Sequence, residues 1–203
     1  IAVGLPSGLE AIFWSFGQII IIRMVNEIGE SAAGVYVLVS RIQGIAFFFY
    51  LGIAKATMIL VGQEIGAGNK QMASHISHLS LRYAVFLCLI ASTVFLIYPD
   101  QILHIFTSDK GVISGAVPLL NIVSITVFPV TVNVVIGNAI RGFKDTKWMF
   151  YTQSIGTVFT ITLSAILLFI FNLNLAGMFI TVLCDECIRA FLNYRHFRSL
   201  LQS

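Results

Sequence analysis

Long apolar runs follow one another along the chain, and short polar stretches separate them. Most runs hold about 20 residues or more, which is the length that a helix rising about 1.5 Å per residue needs to cross about 30 Å of hydrocarbon. Apolar and polar residues do not alternate at every second position, as they would in the strands of a membrane barrel. The pattern therefore predicts an all-α, polytopic membrane protein.

The runs predict one bundle of six transmembrane helices, at residues 5–26, 33–62, 79–98, 112–139, 148–171 and 173–193. The last run is the least apolar, because Asp185, Glu186 and Arg189 interrupt it. The stretches between the runs contain glycine, asparagine and proline, which are typical of turns. Because these connections are short, neighbouring helices should run antiparallel with no soluble domain between them. We therefore expect residues 1–203 to form a single transmembrane lobe.

The composition excludes an ordinary soluble protein. Of the 203 residues, 58% are hydrophobic and only 10% are charged, against about 25% charged in a typical soluble domain. The net charge of +3 does not indicate a nucleic-acid partner, because its distribution across a membrane explains it better. Three cysteines, all in apolar runs, are typical of small hydrophobic residues in helices and not of a disulfide framework.

The basic residues predict how the chain is oriented, because Lys and Arg near the ends of spans are retained in the cytoplasm. They concentrate in the second and fourth connections and near the C-terminus, at Lys70, Arg82, Arg141, Lys144, Lys147, Arg189, Arg195 and Arg198. The opposite side holds mostly acidic residues, at Glu27, Glu30, Asp100 and Asp109, with Lys110 and Arg23 beside them. We therefore expect both ends of this chain to lie on the cytoplasmic side of the cell membrane.

Three ionisable residues inside the predicted spans are candidate site residues, because burying a charge in lipid costs at least a few kcal/mol. Glu10 lies little more than one turn into the first span. It is either an interfacial carboxylate that the helix N-terminus favours or an interior group that exchanges protons or binds a cation. Arg41 and Lys55 are 14 residues apart, so they share a helix face about 21 Å apart.

That face cannot point into hydrocarbon. Either the two long side chains reach toward the membrane interfaces, or, together with Gln43 and Glu10, they set the electric field of a polar cavity. The residues alone leave both interpretations open.

The fourth span contains Pro129 deep in its apolar run, where proline removes a backbone donor and favours a kink. Nearby Thr126, Asn133 and Asn138 are candidates to satisfy the freed carbonyl or to line a cavity. The kink is either a packing feature or a hinge that moves during transport. In the last span, Asp185 and Arg189 have the i, i+4 spacing of an intrahelical ion pair.

Motifs for catalysis, nucleotide binding or metal binding are not found in the sequence. It contains no GxGxxG, no GxxxxGK[ST] and no plausible Ser-His-Asp set in a connection. His75 with His78, and Cys184 with Cys187, lack the further ligands that a metal site needs. We therefore expect neither an enzyme nor an ATP-driven pump, and no cofactor.

Several segments resemble the multidrug and toxic compound extrusion (MATE) family, in the family's order and spacing. They are GLPSGLE (4–10), AAGVY (32–36), Arg41-Ile42, Gly52 with Ala56, LVGQEIGAGN (60–69) and IRGFKDTKW (140–148). The resemblance implies an antiporter of twelve helices in two six-helix lobes, of which this chain would be the second, helices seven to twelve. It also implies export of organic cations and other drugs in exchange for H⁺ or Na⁺.

The chain departs from the family at two positions that the resemblance associates with the ion. Many relatives carry a carboxylate one helical turn deeper than Glu10, where this chain has Trp14. Some bind a cation through an acidic residue on the tenth helix, whereas Pro129 to Asn133 contains none. Coupling through the missing N-terminal lobe therefore remains an alternative.

The sequence leaves three functions open. The first is the C-terminal half of a secondary active multidrug efflux antiporter, whose partners are the bilayer, drugs or organic cations and the N-terminal lobe. The second is a flippase of the same superfamily for lipid-linked polysaccharide precursors, which Arg41 and Lys55 would suit. The third is a non-transporting subunit of a membrane assembly. Because the chain begins at Ile1 and not at Met, we expect it to be part of a longer protein.

Overall fold

The computed structural model describes the backbone of residues 4–202 and the side chains of residues 8–202. Within that range the chain forms seven α-helices and no strand, which confirms the predicted all-α fold class. The helices are α1 (Gly4–Ile28), α2 (Glu30–Gly66), α3 (Lys70–Ile97), α4 (Pro99–Phe106), α5 (Lys110–Gly142), α6 (Thr146–Ala165) and α7 (Asn174–Gln202). One π-helical turn, Ile166–Ile170, extends α6.

Five of these helices, α1, α2, α3, α5 and α6 with its extension, are long and apolar enough to cross a membrane. Helix α7 has 29 residues, which span about 44 Å, but its charges make it less apolar than the others. Each of the six predicted spans lies in one long helix to within one residue, when the π-helical turn is counted with α6. The helices alternate in direction, so the starts of α1, α3 and α6 and the end of α7 lie at one end of the bundle. We call this the terminal end, and the other the far end.

The short helix α4 was missed by the sequence prediction, which treated residues 99–111 as a connection. Pro99 occupies the first turn of α4. Backbone N–H groups in the first turn have no acceptor within the helix, so the missing N–H of proline costs no hydrogen bond there. Leu103 is buried, whereas Ile105 and Phe106 are exposed. Eight residues are too few to register as an apolar run, and so the hydropathy pattern gave no signal for this helix.

The centre of the bundle is helix α5, which packs against α2, α3 and α7. Along the apolar stretch of α5, 61% of the residues are buried, whereas 22% to 28% are buried along the corresponding stretches of the other spanning helices. Pro118 and Pro129 lie inside α5, and the helix continues through both. Thr126 and Asn138 donate to carbonyls four residues earlier, so neither bonds to the carbonyl of Ile125. Whether Pro129 acts as a hinge stays a prediction.

Local sequence explains where several helices begin and end. The side chains of Asn69, Asp109 and Asp145 cap α3, α5 and α6 by accepting backbone N–H groups of the first turn, as short polar residues do at these positions. Helix α2 ends at Gly66, and Gly68 has a φ of +78°, which glycine adopts without strain. Residues 66–68 therefore form a helix end and a turn.

Candidate ion and substrate site

A cluster of polar side chains joins α5, α6 and α7 inside the bundle. The polar cluster consists of Asn133, Gln153, Asp185, Glu186, Arg189 and Asn193. Arg189 is at its centre: Nε donates to Asp185 Oδ2 at 2.9 Å, Nη1 donates to Gln153 Oε1 at 2.6 Å, and Nη2 pairs with Glu186 Oε1. One guanidinium therefore holds two carboxylates from its own helix and an amide from α6.

The second part of the cluster is a chain of amide hydrogen bonds. Asn133 Nδ2 donates to Glu186 Oε2 at 2.8 Å, and Asn193 Nδ2 donates to Asn133 Oδ1 at 2.6 Å. Trp148 Nε1 in turn donates to Asn193 Oδ1 at 2.8 Å. Every side-chain amide oxygen of the cluster thus already accepts an N–H, including that of Gln153.

The sequence builds this cluster through helical spacing and one close approach. Asp185, Arg189 and Asn193 follow one another at intervals of four residues on α7 and therefore share a face. Gly156 of α6 lies opposite them. A Cβ at this glycine would lie 2.7 Å from Asp185 Oδ1 and 2.8 Å from Arg189 Cδ. The absence of a side chain at Gly156 is what lets α6 approach the ion pair.

A second ion pair lies beside the cluster, between Glu10 of α1 and Arg141 in the last turn of α5. Both side chains are largely buried, and Arg189 lies near enough to Glu10 for their charges to attract one another. Three carboxylates, on Glu10, Asp185 and Glu186, therefore face two guanidiniums. If all five groups are ionised, one negative charge is left without compensation, which is costly away from water.

The terminal end of α7 is fastened to the start of α6 by a separate contact. The Trp148 indole stacks on the His196 imidazole with ring centroids 3.9 Å apart and planes at 8°. His196 Nε2 lies 2.7 Å from Asp145 Oδ2, and Asp145 also caps α6 through the Trp148 backbone N–H. Trp148 thus connects this contact to Asn193 and the polar cluster.

Helix α2 carries its two cations, Arg41 and Lys55, on an exposed surface. Every third or fourth residue along one side of the helix is exposed, forming a stripe of Val37, Arg41, Ile45, Phe48, Gly52, Lys55 and Ile59. We call this set the α2 stripe. Within residues 8–202, neither Arg41 nor Lys55 has an ion-pair partner. The predicted shared face of these two cations therefore points away from the lobe.

The structure divides the predicted site residues between two places. Glu10 and Asn133 lie at or beside the polar cluster, whereas Arg41 and Lys55 lie on the α2 stripe, with Gln43 half-buried elsewhere on α2. In the described part of the chain no hydrogen bond or ion pair joins Glu10 to the α2 cations. The roles of these residues and of Pro129 in binding or movement stay predictions.

Glu186, Gln153 and Asn193 were not among the predicted site residues. The predicted i, i+4 contact of Asp185 with Arg189 is confirmed, at 2.6 Å from Nη2 to Oδ2, but the pair is not isolated. Glu186 also has the i, i+3 spacing to Arg189 of a helical ion pair. That spacing, and the presence of polar Asn133 and Gln153 inside apolar spans, are the features of the sequence from which the cluster could have been predicted.

Comparison with known proteins gives consistent matches along the chain. The sequence profile of the MatE family matches residues 6–166. A probable multidrug resistance protein NorM of Pasteurella multocida (strain Pm70) is 31% identical over 63% of this chain and 28% of its own length. An uncharacterized transporter, YisQ of Bacillus subtilis (strain 168), is 28% identical over 97% of this chain and 44% of its own length.

Among solved structures, the outward-facing conformation of a multidrug resistance MATE family transporter superposes with a TM-score of 0.91 at 18% identity. The match covers 99% of this chain and 46% of that one. At this identity the likeness shows the fold alone. The chain spans less than half the length of these relatives, which are transporters and not enzymes.

Proposed function

Because the chain belongs to the MatE family, as its motifs indicated, we propose that it is the C-terminal lobe of a secondary active multidrug efflux antiporter. In this proposal the whole protein exports organic cations or other drugs in exchange for H⁺ or Na⁺. The description of several relatives as multidrug resistance proteins supports it. So does the length of the chain, which matches 46% of a MATE family transporter.

The observation that carries the proposal is the α2 stripe. Arg41 and Lys55 are exposed on a helix that is long and apolar enough to cross a membrane, and a charge inside a span is normally found facing a bundle interior or water. The stripe therefore borders a hydrated cavity, which a second lobe would close from the other side. Rocking of two such lobes would open the cavity to each side of the membrane in turn.

The polar cluster is our candidate for the coupling site within this lobe. Its surplus negative charge requires one positive charge to compensate it. A metal cation such as Na⁺ would need several oxygen ligands that converge on one point, and in residues 8–202 no three His, Cys, Asp or Glu side chains are grouped closely enough to hold a metal ion. A proton needs only one carboxylate oxygen. The arrangement of the carboxylates thus favours H⁺, with Glu186 and Glu10 as the groups that exchange it.

The charge distribution supports the cell membrane as the location, with the terminal end of the lobe in the cytoplasm. Lys70, Lys144, Lys147, Arg195 and Arg198 lie at that end. The N-terminal lobe, the bilayer and a small-molecule substrate are the partners that the proposal requires.

The test is drug transport by the full-length protein in proteoliposomes, driven in separate experiments by a pH gradient or by a Na⁺ gradient. We expect transport driven by the pH gradient and lost in Glu186→Gln. Glu10→Gln should impair it as well, whereas Glu30→Gln, at an exposed acid of the far end, should leave it unchanged. Undiminished transport and coupling in Glu10→Gln would remove Glu10 from the site. Transport driven only by Na⁺ would contradict the proposal that H⁺ is the coupling ion.

A second candidate function is the flippase for anionic, lipid-linked precursors, which the two unpaired cations of the α2 stripe favour. Complementation of a defect in envelope synthesis, without drug resistance, would select this function over the antiporter. Failure of the reconstituted protein to move any solute under an ion gradient would point to a non-transporting subunit.

A further inference from the structure

Helices α1 and α2 diverge from their shared turn at Gly29 and leave a groove between them. Helix α1 packs mainly against α6, whereas α2 packs mainly against α5 and α3. The groove has a volume of about 320 Å³, which lies in the size range of small-molecule sites. The hairpin therefore forms an open cleft at the far end of the lobe.

The two ends of the groove differ in chemistry. Gln18 lies ten residues before the end of α1, and Arg41 lies eleven residues after the start of α2. Helix rise places them about 17 and 18 Å from Gly29, which is a little more than half the thickness of a hydrocarbon core of about 30 Å, and both line the groove. Between them and the turn, the walls are mostly apolar and include Val25, Ala33 and Val37.

The guanidinium of Arg41 is the feature of the groove that needs a partner. It is exposed, and in residues 8–202 it makes no ion pair or hydrogen bond, while the Gln18 amide likewise has no hydrogen bond there. Arginine stays protonated at any physiological pH and binds a carboxylate through two parallel N–H groups. Ser40 lies beside Arg41 in the same wall, and its hydroxyl is hydrogen-bonded to Tyr36.

We propose that this groove binds amphipathic substrates that carry a carboxylate, with the carboxylate at Arg41 and Gln18 and the apolar body along the wall formed by Val25 and Val37. The proposal rests on the proposed transport function and adds anionic molecules to the organic cations that it names. An aromatic or aliphatic acid fits the apolar walls, whereas a cation finds no acidic side chain among the residues that line this groove.

The test uses dansylglycine, a fluorescent acid with an apolar ring system, and its neutral amide as a matched probe. Binding of each to the full-length protein in nanodiscs is measured by fluorescence anisotropy, and uptake of each into proteoliposomes is measured separately. We expect Arg41→Gln to weaken dansylglycine binding about tenfold or more, as loss of a charged hydrogen-bond donor does. The affinity for the neutral amide should change by less than about twofold. The affinity of Arg41→Lys for dansylglycine should lie between those of the unchanged protein and Arg41→Gln.

The control is Arg23→Gln, which removes an exposed arginine of α1 that does not line the groove. It should leave binding of both probes unchanged. Equal loss of both probes in Arg41→Gln would show that Arg41 serves the fold or the other lobe and would overturn the proposal, as would no loss of either. Binding that depends on Arg41 without any uptake would support the groove and contradict the transport function.

Discussion

The polar cluster and the α2 stripe both place charges within helices long enough to cross a membrane, yet they treat those charges in opposite ways. In the cluster, Arg189 is held by two carboxylates and an amide, and its side chain is 12% exposed. On the stripe, Arg41 and Lys55 are exposed and lack ion-pair partners in the described part of the chain. The side chains of the cluster find hydrogen-bond and ion-pair partners within one lobe, whereas nothing in the described part of this lobe pairs with the cations of the stripe.

This difference predicts how strongly a substitution in each region changes the free energy of unfolding. Removing one member of a buried ion pair leaves its partner uncompensated, which costs about 3–5 kcal/mol. Removing an exposed, unpaired charge costs little. Substitutions in the cluster should therefore change the free energy of unfolding as well as transport, and substitutions on the stripe should change transport alone.

The largest effect on stability is expected for Arg189→Met, which leaves Asp185 and Glu186 without their counter-ion. We predict a loss of about 3–5 kcal/mol, measured as thermal or denaturant stability of the full-length protein in detergent. The control is Arg195→Met on the same helix, whose guanidinium lies 5.7 Å from the Phe191 ring centroid at an exposed position. That change should cost about 1 kcal/mol or less. Equal effects would mean that the cluster does not hold the lobe together.

A smaller loss is expected for Gly156→Ala, since the new Cβ would overlap Asp185 Oδ1 and Arg189 Cδ. We predict about 1–3 kcal/mol, as for overpacking of a core, read from the same unfolding measurement. Gly34→Ala is the matched control, because a Cβ there meets no atom within 4 Å, and alanine should stabilise the helix slightly. A neutral Gly156→Ala would indicate that α6 lies farther from the ion pair than described.

The smallest effect on stability is expected for Lys55→Gln on the α2 stripe. The free energy of unfolding should change by less than about 0.5 kcal/mol, while drug uptake by the reconstituted protein falls. A loss of stability comparable to that of Arg189→Met would show that Lys55 is paired in the whole protein, and would remove the contrast between the two regions.

The sequence predicted the fold well because the length of an apolar run is set by the thickness of the bilayer. It also predicted the contact of Asp185 with Arg189, because helix geometry alone brings side chains at i and i+4 together. Helix α4 was missed because eight residues give too weak a pattern.

The rest of the candidate site could not be read from local spacing. Glu10 pairs with Arg141, and Asn133 bonds to Glu186, across helices that are far apart in the chain. These contacts depend on how α1, α5 and α7 pack. Counting charges by connection assigned Arg141 to the fourth connection, whereas it lies in the last turn of α5 and pairs with Glu10.

The central claim is that the α2 stripe borders water, and cysteine labelling tests it most directly. In the full-length protein without its native cysteines, Phe48→Cys lies between the two cations, and Phe86→Cys lies at a comparable depth on α3. The two phenylalanines are 72% and 61% exposed. With a charged thiol reagent applied to both sides of the membrane, we predict rapid labelling at position 48 and none at position 86. Equal resistance at both positions would contradict the hydrated cavity and the transport function that depends on it.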